Sequence, residues 1–229
     1  MNKWIYIKSD RIIDAYAVAS VLNDVPDTEF FLVRKTRFAK LFKNHPHISM
    51  SGFYENSEDS QLIIINPTDV EDFKELTCQI AKKLGVENRD TWSMYNPNIP
   101  KVLDFSLVDM FLMFSDEPQE PLNLNFIDIV INVFKVQQIT TISAGTMALP
   151  CIRRCKDYRK LVTWEYLPLI ATQNKSALII TNESDYTALC RAVGLNYILV
   201  KNENGIMCAN NQILNHPNEL INLINQQIS

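Results

Sequence analysis

The chain has 229 residues, 47% of them hydrophobic and 21% charged, which predicts a globular protein with one large or two small domains. Its formal net charge of −4 argues against a nucleic-acid partner. Every apolar run is shorter than the about 18 residues of a membrane span, and charge interrupts the N-terminus too early for a signal peptide. A cytoplasmic protein is therefore expected.

Glycine and cysteine usage excludes further classes. The five glycines stand singly, so the chain has neither a P-loop nor a GxGxxG fingerprint, and kinases, P-loop NTPases and standard dinucleotide oxidoreductases are not expected. The five cysteines contain one close pair, in the segment CIRRC, whereas a zinc site needs about four ligands. We expect reduced, structural cysteines.

The first half alternates between strand and helix signals. Strands are predicted at residues 4–7, 29–33 and 61–66, and helices at 12–25, 36–44 and 70–85. This alternation predicts a parallel sheet with right-handed crossovers. His45 and His47 flank Pro46 in a turn, where a capping role is expected.

The second half is less regular. Apolar runs at 104–114 and 126–134 fit either strands or buried helices, because periodicity does not separate the two. Strands are predicted at 139–143, 176–182 and 196–200. Helices are predicted at 157–173 with a break near Pro168, at 184–194 with Ser184 as its cap, and at 216–228. A proline-bearing stretch at 95–101 separates the halves, so we predict domains at 1–96 and 97–229.

Charged residues collect where the first strand passes into the first helix. Lys8, Asp10, Arg11 and Asp14 all lie at this seam. Open α/β sheets bind ligands at the carboxyl ends of their strands, so the cluster is a candidate site; ordinary solvated charges at a helix start are the other interpretation. Two basic stretches, 33–43 and 153–160, suit an anionic small ligand, although a solvated helix face is the commoner explanation of such stretches.

The first half resembles the N-terminal domain of glycosyltransferase family nine, the heptosyltransferase family of lipopolysaccharide synthesis. Members begin with a strand followed by Lys or Arg, reach an Asp six residues later and continue into a helix, as Lys8 and Asp14 do here. The family's later motifs are matched by Pro26-Asp27, by Arg37-Phe38-Ala39 and by residues 45–48. Ile13 stands where the family has Gly.

The second half resembles the family's donor-binding domain. The segment TNESDY at 181–186 corresponds to a family turn that lies against the nucleotide-sugar diphosphate, with Glu183 in place of Asp and Asp185 in place of Gly. The segment around CIRRCK corresponds to one that supplies a phosphate-binding lysine.

The resemblance implies two Rossmann-like α/β halves with parallel sheets and a cleft between them, the first binding the acceptor and the second the donor. It implies sugar transfer from a nucleotide-sugar donor to a glycan or lipopolysaccharide-type acceptor. Asp14 would be the catalytic base, and Lys8, Asp10 and Arg11 would bind the acceptor. The implied donor-binding residues are Arg153, Arg154, Lys156, Asn182, Glu183, Ser184 and Asp185. Glycosyltransferases of this two-domain kind use basic side chains and helix dipoles in place of a bound cation, so the resemblance implies no bound metal, and no cofactor is expected.

Two alternatives stay open. A non-catalytic relative of the glycosyltransferases would keep the fold as a binding module. The segment around TNESDY also looks like the terminal strand, Asp and helix of PIN-like nucleases, in which clustered carboxylates hold a divalent metal. In that case Glu183 and Asp185 would act with Asp10 or Asp14.

Overall fold

The computed structural model describes residues 2–25, 30–33, 38–51, 54, 58–87, 89–100, 102, 104–116, 120–147 and 155–228. The chain divides into two compact units, Met1–Ile99 and Pro100–Ser229. Each unit contains one sheet with its own helices. The acceptor and donor roles assigned to the two halves stay predictions.

The first unit is built on a four-stranded parallel sheet. Its strands are β1 (Asn2–Ile7), β2 (Phe30–Val33), β3 (Ile48–Ser51) and β4 (Ser60–Ile65). Its helices are α1 (Ile12–Asn23), α2 (Ala39–Phe42) and α3 (Phe73–Leu84). The spatial order β3-β2-β1-β4 means that the chain winds outward from β1 and then returns to its other side. The switch point therefore lies between β1 and β4.

Helices α1 and α3 show why this unit folds as it does. Every residue of α1 from Ile12 to Leu22 is buried, as expected of a helix that is apolar on all faces. The amphipathic helix α3 packs against α1. The Asp72 carboxylate accepts the Glu75 N–H at 2.8 Å at the start of α3, and Gly85 ends the helix in the left-handed region at φ +65°.

His45 caps the turn after α2. The ring is buried; its Nε2–H donates to the Ala19 carbonyl at 2.9 Å, and its Nδ1 accepts the His47 N–H at 3.2 Å. The bond from His47 needs the neutral ring, because a protonated Nδ1 could not accept, whereas the bond to Ala19 forms in either state of the ring. Burial lowers the pKa of His45, the Ala19 bond opposes that shift, and the nearby His47 adds to it.

Acidification should therefore destabilise the protein through His45. Because the folded pKa lies below the ordinary value of about 6.5, the unfolded chain binds more protons once the pH falls below that value, and the free energy of unfolding decreases. Urea denaturation at about pH 7.5 and 5.5 measures the effect. His45→Asn is the matched control, since its amide oxygen can accept the His47 N–H without titrating. Equal pH dependence in the two proteins would contradict this assignment.

The second unit is built on a seven-stranded sheet in the order β11-β10-β9-β8-β5-β6-β7. Its strands are β5 (Met110–Phe114), β6 (Thr141–Gly145), β7 (Lys156–Asp157), β8 (Leu178–Thr181), β9 (Asn196–Glu203), β10 (Ile206–Ala209) and β11 (Gln212–Ile213). Its helices are α4 (Leu124–Val136), α5 (Leu167–Gln173), α6 (Ser184–Val193) and α7 (Pro217–Ile228). The strands from β5 to β9 pair in parallel, with the switch point between β5 and β8.

The α/β class with two Rossmann-like sheets is confirmed, and the second sheet departs from the prediction in its details. Its β10 and β11 edge is antiparallel, because two tight turns reverse the chain. Asn204 and Gly205 have φ of +54° and +80°, and Asn210 and Asn211 of +48° and +66°, as two-residue hairpin turns require. The helix predicted at 157–173 is wrong in its first part: only Leu167–Gln173 forms an α-helix.

Candidate functional site

The switch point of the first sheet brings the charged seam together with the end of β4. Strand β1 ends at Ile7 and β4 ends at Ile65. The backbone N–H groups of Lys8 and Ser9 both donate to the Ile65 carbonyl, at 2.8 and 3.3 Å. The ends of β1 and β4 are thus hydrogen-bonded to each other, at the switch point where open α/β sheets bind their ligands.

Asp14 lies in the first turn of α1 and is fully buried. Ser9 Oγ donates to its Oδ2 at 2.5 Å, and Thr68 Oγ1 donates to its Oδ1 at 3.1 Å. The two hydroxyl donors hold the Asp14 side chain in one orientation. Asp14 is thus held by hydrogen bonds, as a catalytic acid–base group would be, and its side chain is shielded from solvent.

Arg11 spans the switch point from the α1 side. Its guanidinium donates through Nη1 to the Thr68 carbonyl and through Nη2 to the Val70 carbonyl, the latter at 3.1 Å. The Lys8 and Asp10 side chains are exposed beside it. The structure therefore brings the predicted acceptor-side residues to one end of the sheet, together with Thr68, which sequence reasoning missed. A signal was available, because Thr68 directly follows the Asn66-Pro67 stop of a predicted strand.

The corresponding edge of the second sheet is polar and tied together by Asn182. This side chain is buried; its Oδ1 accepts the Ser115 N–H, and its Nδ2 donates to the Ser115 carbonyl, both at 2.8 Å. Its amide thereby links the chain after β8 to the chain after β5. Asn182 was predicted to bind the donor, and in this structure its amide holds the edge on which such a donor would lie.

Gly145 allows β6 to approach the end of β5. It has φ +89°, and a Cβ at this position would lie 2.2 Å from the Phe114 carbonyl oxygen. That same oxygen accepts the N–H groups of Thr146 and Met147, at 2.8 and 3.0 Å. The Thr146 hydroxyl reaches Ser115 Oγ at 3.4 Å. Two hydroxyls and several backbone groups therefore converge at this edge.

The start of α6 carries acidic side chains. The predicted Ser184 cap is wrong by one residue: Glu183 is the N-cap, and its carboxylate accepts the Asp185 N–H at 3.3 Å. The Glu183 N–H in turn donates to Thr181 Oγ1 at 3.1 Å. The positive end of a helix dipole normally attracts phosphate groups. The carboxylates at the start of α6 offset that positive charge and so weaken the attraction.

The predicted basic residues of the donor side are only partly described. Lys156 is exposed on the short strand β7, beside β6. Arg153 and Arg154 lie outside the described residues, as do Arg34, Lys35 and Arg37 of the first basic stretch. Arg159 forms an ion pair with Asp157, at 2.7 Å, and so belongs to the turn after β7.

The described residues contain neither a metal-binding cluster nor a helix that could cross a membrane. That part of the chain holds no group of three or more His, Cys, Asp or Glu side chains that could bind a metal ion. Within the same ranges, no helix combines the length and the apolar character needed to cross a bilayer. The carboxylates of the nuclease alternative belong to different sheets: Asp14 follows β1 and Glu183 follows β8.

Comparison with known proteins defines the fold. No protein-family model and no curated protein matches the sequence. The structure, however, is similar to those of glycosyltransferases. The E. coli heptosyltransferase WaaC, solved with ADP, aligns with a TM-score of 0.56 at 11% identity, over 98% of this chain and 99% of WaaC. A glycosyl transferase family 9 protein from Veillonella parvula aligns with a TM-score of 0.55 at 10% identity, over 86% of this chain and 79% of its own.

A third similar structure is longer. The iron-containing dodecameric glycosyltransferase TibC from enterotoxigenic E. coli aligns with a TM-score of 0.52 at 10% identity, over 86% of this chain. The alignment spans 59% of TibC. At these identities the comparisons show the fold alone: it is a fold that this chain shares with glycosyltransferases, among them a heptosyltransferase and a family 9 protein, as the sequence resemblance predicted.

Proposed function

We propose that this protein transfers a sugar from a nucleotide-sugar donor to a glycan or lipopolysaccharide-type acceptor. The observation that carries the proposal is Asp14, a positioned carboxylate at the carboxyl end of β1 in a glycosyltransferase fold. Nucleotide-sugar chemistry of this kind implies a cytoplasmic protein. The chain spans only part of some similar structures, and activity, substrates and partners are all part of the proposal.

In the proposed reaction, an acceptor hydroxyl attacks the anomeric carbon of the donor sugar. The bond from that carbon to the diphosphate oxygen breaks, and the nucleoside diphosphate leaves with the bonding electrons. Asp14 takes the proton of the attacking hydroxyl, which raises its nucleophilicity as the new bond forms. The Ser9 and Thr68 hydroxyls orient the carboxylate. Lys8, Asp10 and Arg11 bind the acceptor, the two cations by contacting its anionic groups.

The donor lies at the carboxyl edge of the second sheet in this proposal. Ser184 and the polar groups around Asn182 contact it, and Lys156, Arg153 and Arg154 neutralise its diphosphate. WaaC, which shares the fold, was solved with ADP, and this supports a nucleoside diphosphate as the leaving group. Glu183 and Asp185 oppose an anion at the start of α6, so the basic side chains have to contribute more of the binding than a helix terminus would.

A non-catalytic binding module is the second candidate. Two observations favour it: the Asp14 carboxylate is fully buried, and the start of α6 is acidic. In this case the protein would bind a nucleotide sugar or a glycan without transferring a sugar. A metal-dependent nuclease has no such support, because the described residues offer no group of metal-binding side chains.

A thermal-shift screen tests the proposal. Nucleotide sugars and free ADP are expected to raise the melting temperature, since a ligand at 100 times its Kd adds about 2.7 kcal/mol to the free energy of unfolding. Asp185→Asn removes a like charge from the start of α6, so it should enlarge the shift caused by nucleotides. The melting temperature is also measured with Mg²⁺ or Mn²⁺ in place of a nucleotide. Stabilisation by these ions that is lost in Asp185→Asn, with no response to nucleotides, would favour the nuclease instead.

A further inference from the structure

Residues 66–70 cover the only carboxylate that we assign to catalysis. This segment, the strap, begins the connection from β4 to α3 and is hydrogen-bonded to residues at the start of α1. Thr68 Oγ1 donates to the Asp14 carboxylate at 3.1 Å. The Arg11 guanidinium also contacts the strap, by donating to the Thr68 and Val70 carbonyls. With the strap in this position, Asp14 and Ser9 are both buried.

We propose that the strap is a gate: it opens for an acceptor to reach Asp14, and Arg11 is its clasp. The proposal rests on the proposed role of Asp14 as base and adds the regulation of access to it. An acceptor hydroxyl has to come within hydrogen-bond distance of the carboxylate to give up its proton. Since Asp14 is fully buried here, transfer requires a rearrangement around it.

Among the segments that surround Asp14, the strap can move most easily. Asn66, Pro67 and Asp69 are already exposed, and Thr68 and Val70 are half-buried, so opening uncovers little apolar surface. In contrast, Ile13 and Tyr16 beside Asp14 on α1 are fully buried in the core. Moving the helix would break its packing, whereas moving the strap breaks a few polar contacts.

Arg11 also links the opening of the strap to the binding of the acceptor. Arg11 now donates to neutral carbonyls, and a guanidinium bonds more strongly to a phosphate or carboxylate. An anionic group on the acceptor can therefore draw Arg11 away from the strap. Release of Arg11 frees the substrate-binding cation and uncovers the base together, so that Asp14 meets solvent only when the strap is open.

Carboxyl labelling tests the gate without any need for turnover. The full-length protein is treated with a water-soluble carbodiimide and glycinamide, and amide formation at each carboxyl is followed by peptide mass spectrometry. Asp10, whose side chain is exposed, is the internal reference. In the wild-type protein, Asp14 should react far more slowly than Asp10. Arg11→Met and Thr68→Val each remove strap contacts at nearly constant volume, and Lys8→Met removes an exposed neighbouring cation as the matched control.

The gate predicts that Asp14 labelling, relative to Asp10, rises several-fold in Arg11→Met and in Thr68→Val and stays unchanged in Lys8→Met. Circular dichroism identifies a variant that does not fold, and if Arg11→Met fails, the result for Thr68→Val decides. The proposal is overturned if folded variants leave Asp14 as protected as in the wild type, or if Lys8→Met exposes it equally. Because labelling is independent of catalysis, faster labelling combined with full turnover by an Asp14 variant would reject the base and keep the gate.

Discussion

Replacing Gly145 with alanine is expected to unfold the second unit or leave it barely stable. The new Cβ would lie 2.2 Å from the Phe114 carbonyl oxygen and 2.7 Å from its nitrogen, so backbone has to move. Phe114 is fixed by pairing in the sheet and by two N–H donors on its carbonyl. Overpacking typically costs about 1–3 kcal/mol, and the φ of +89° adds about 1–2 kcal/mol for a residue with a Cβ.

Gly194→Ala is the matched control for this prediction. Gly194 also has a positive φ, of +76°, but no atom lies within 4 Å of a Cβ built on it. Its substitution should cost about 1 kcal/mol, from conformation alone. Urea denaturation followed by circular dichroism measures both variants. If Gly145→Ala is no less stable than Gly194→Ala, the close approach of β6 to β5 is not the constraint we describe.

Local signals account for the parts of the fold that the sequence predicts well. Helix α3 begins at a side-chain cap and ends at Gly85, and its apolar residues follow the helical period. The run at 126–134 remains ambiguous by period, yet Asn123 accepts the Phe126 N–H at 3.1 Å and so starts α4. A cap search upstream of that run would have favoured the helix.

Non-local pairings account for the parts that the sequence does not predict. The Arg11 contacts to Thr68 and Val70 and the Asn182 contacts to Ser115 join residues far apart in the chain, and no local pattern encodes them. The antiparallel β10 and β11 edge is different. Its Asn204-Gly205 and Asn210-Asn211 turns are readable hairpin signals, and the prediction stopped at β9 without using them.

In the candidate site, too, local sequence patterns predict some features, and others depend on contacts between distant residues. Position at the carboxyl end of β1 is predictable from the strand and helix pattern, and the structure has Lys8, Asp10, Arg11 and Asp14 at that end. The burial of Asp14 is not predictable, because it depends on the strap contributed by residues 66–70. The donor-side roles of Lys156, Glu183 and Ser184 stay predictions.

Asp14→Asn is expected to abolish most sugar transfer while leaving the fold intact. An amide cannot accept the acceptor's proton, and loss of a general base typically lowers the rate by about 10²–10⁴-fold. The Ser9 and Thr68 hydroxyls can rotate to accept from the new amide as well as donate to it, so the buried network keeps its partners. We expect a loss of about 1 kcal/mol in the free energy of unfolding.

The most direct test of Asp14 as the catalytic base is the rate of sugar transfer by the wild type, Asp14→Asn and Ser9→Ala. The donor is a nucleotide sugar that stabilises the protein, the acceptors are phosphorylated glycans, and mass spectrometry detects the product. Ser9→Ala is the matched control, because it removes one bond to Asp14 and keeps the carboxylate. The assignment of Asp14 as the base predicts transfer by the wild type, a loss of about 10²-fold or more in Asp14→Asn and a much smaller loss in Ser9→Ala. Full turnover by Asp14→Asn would contradict it.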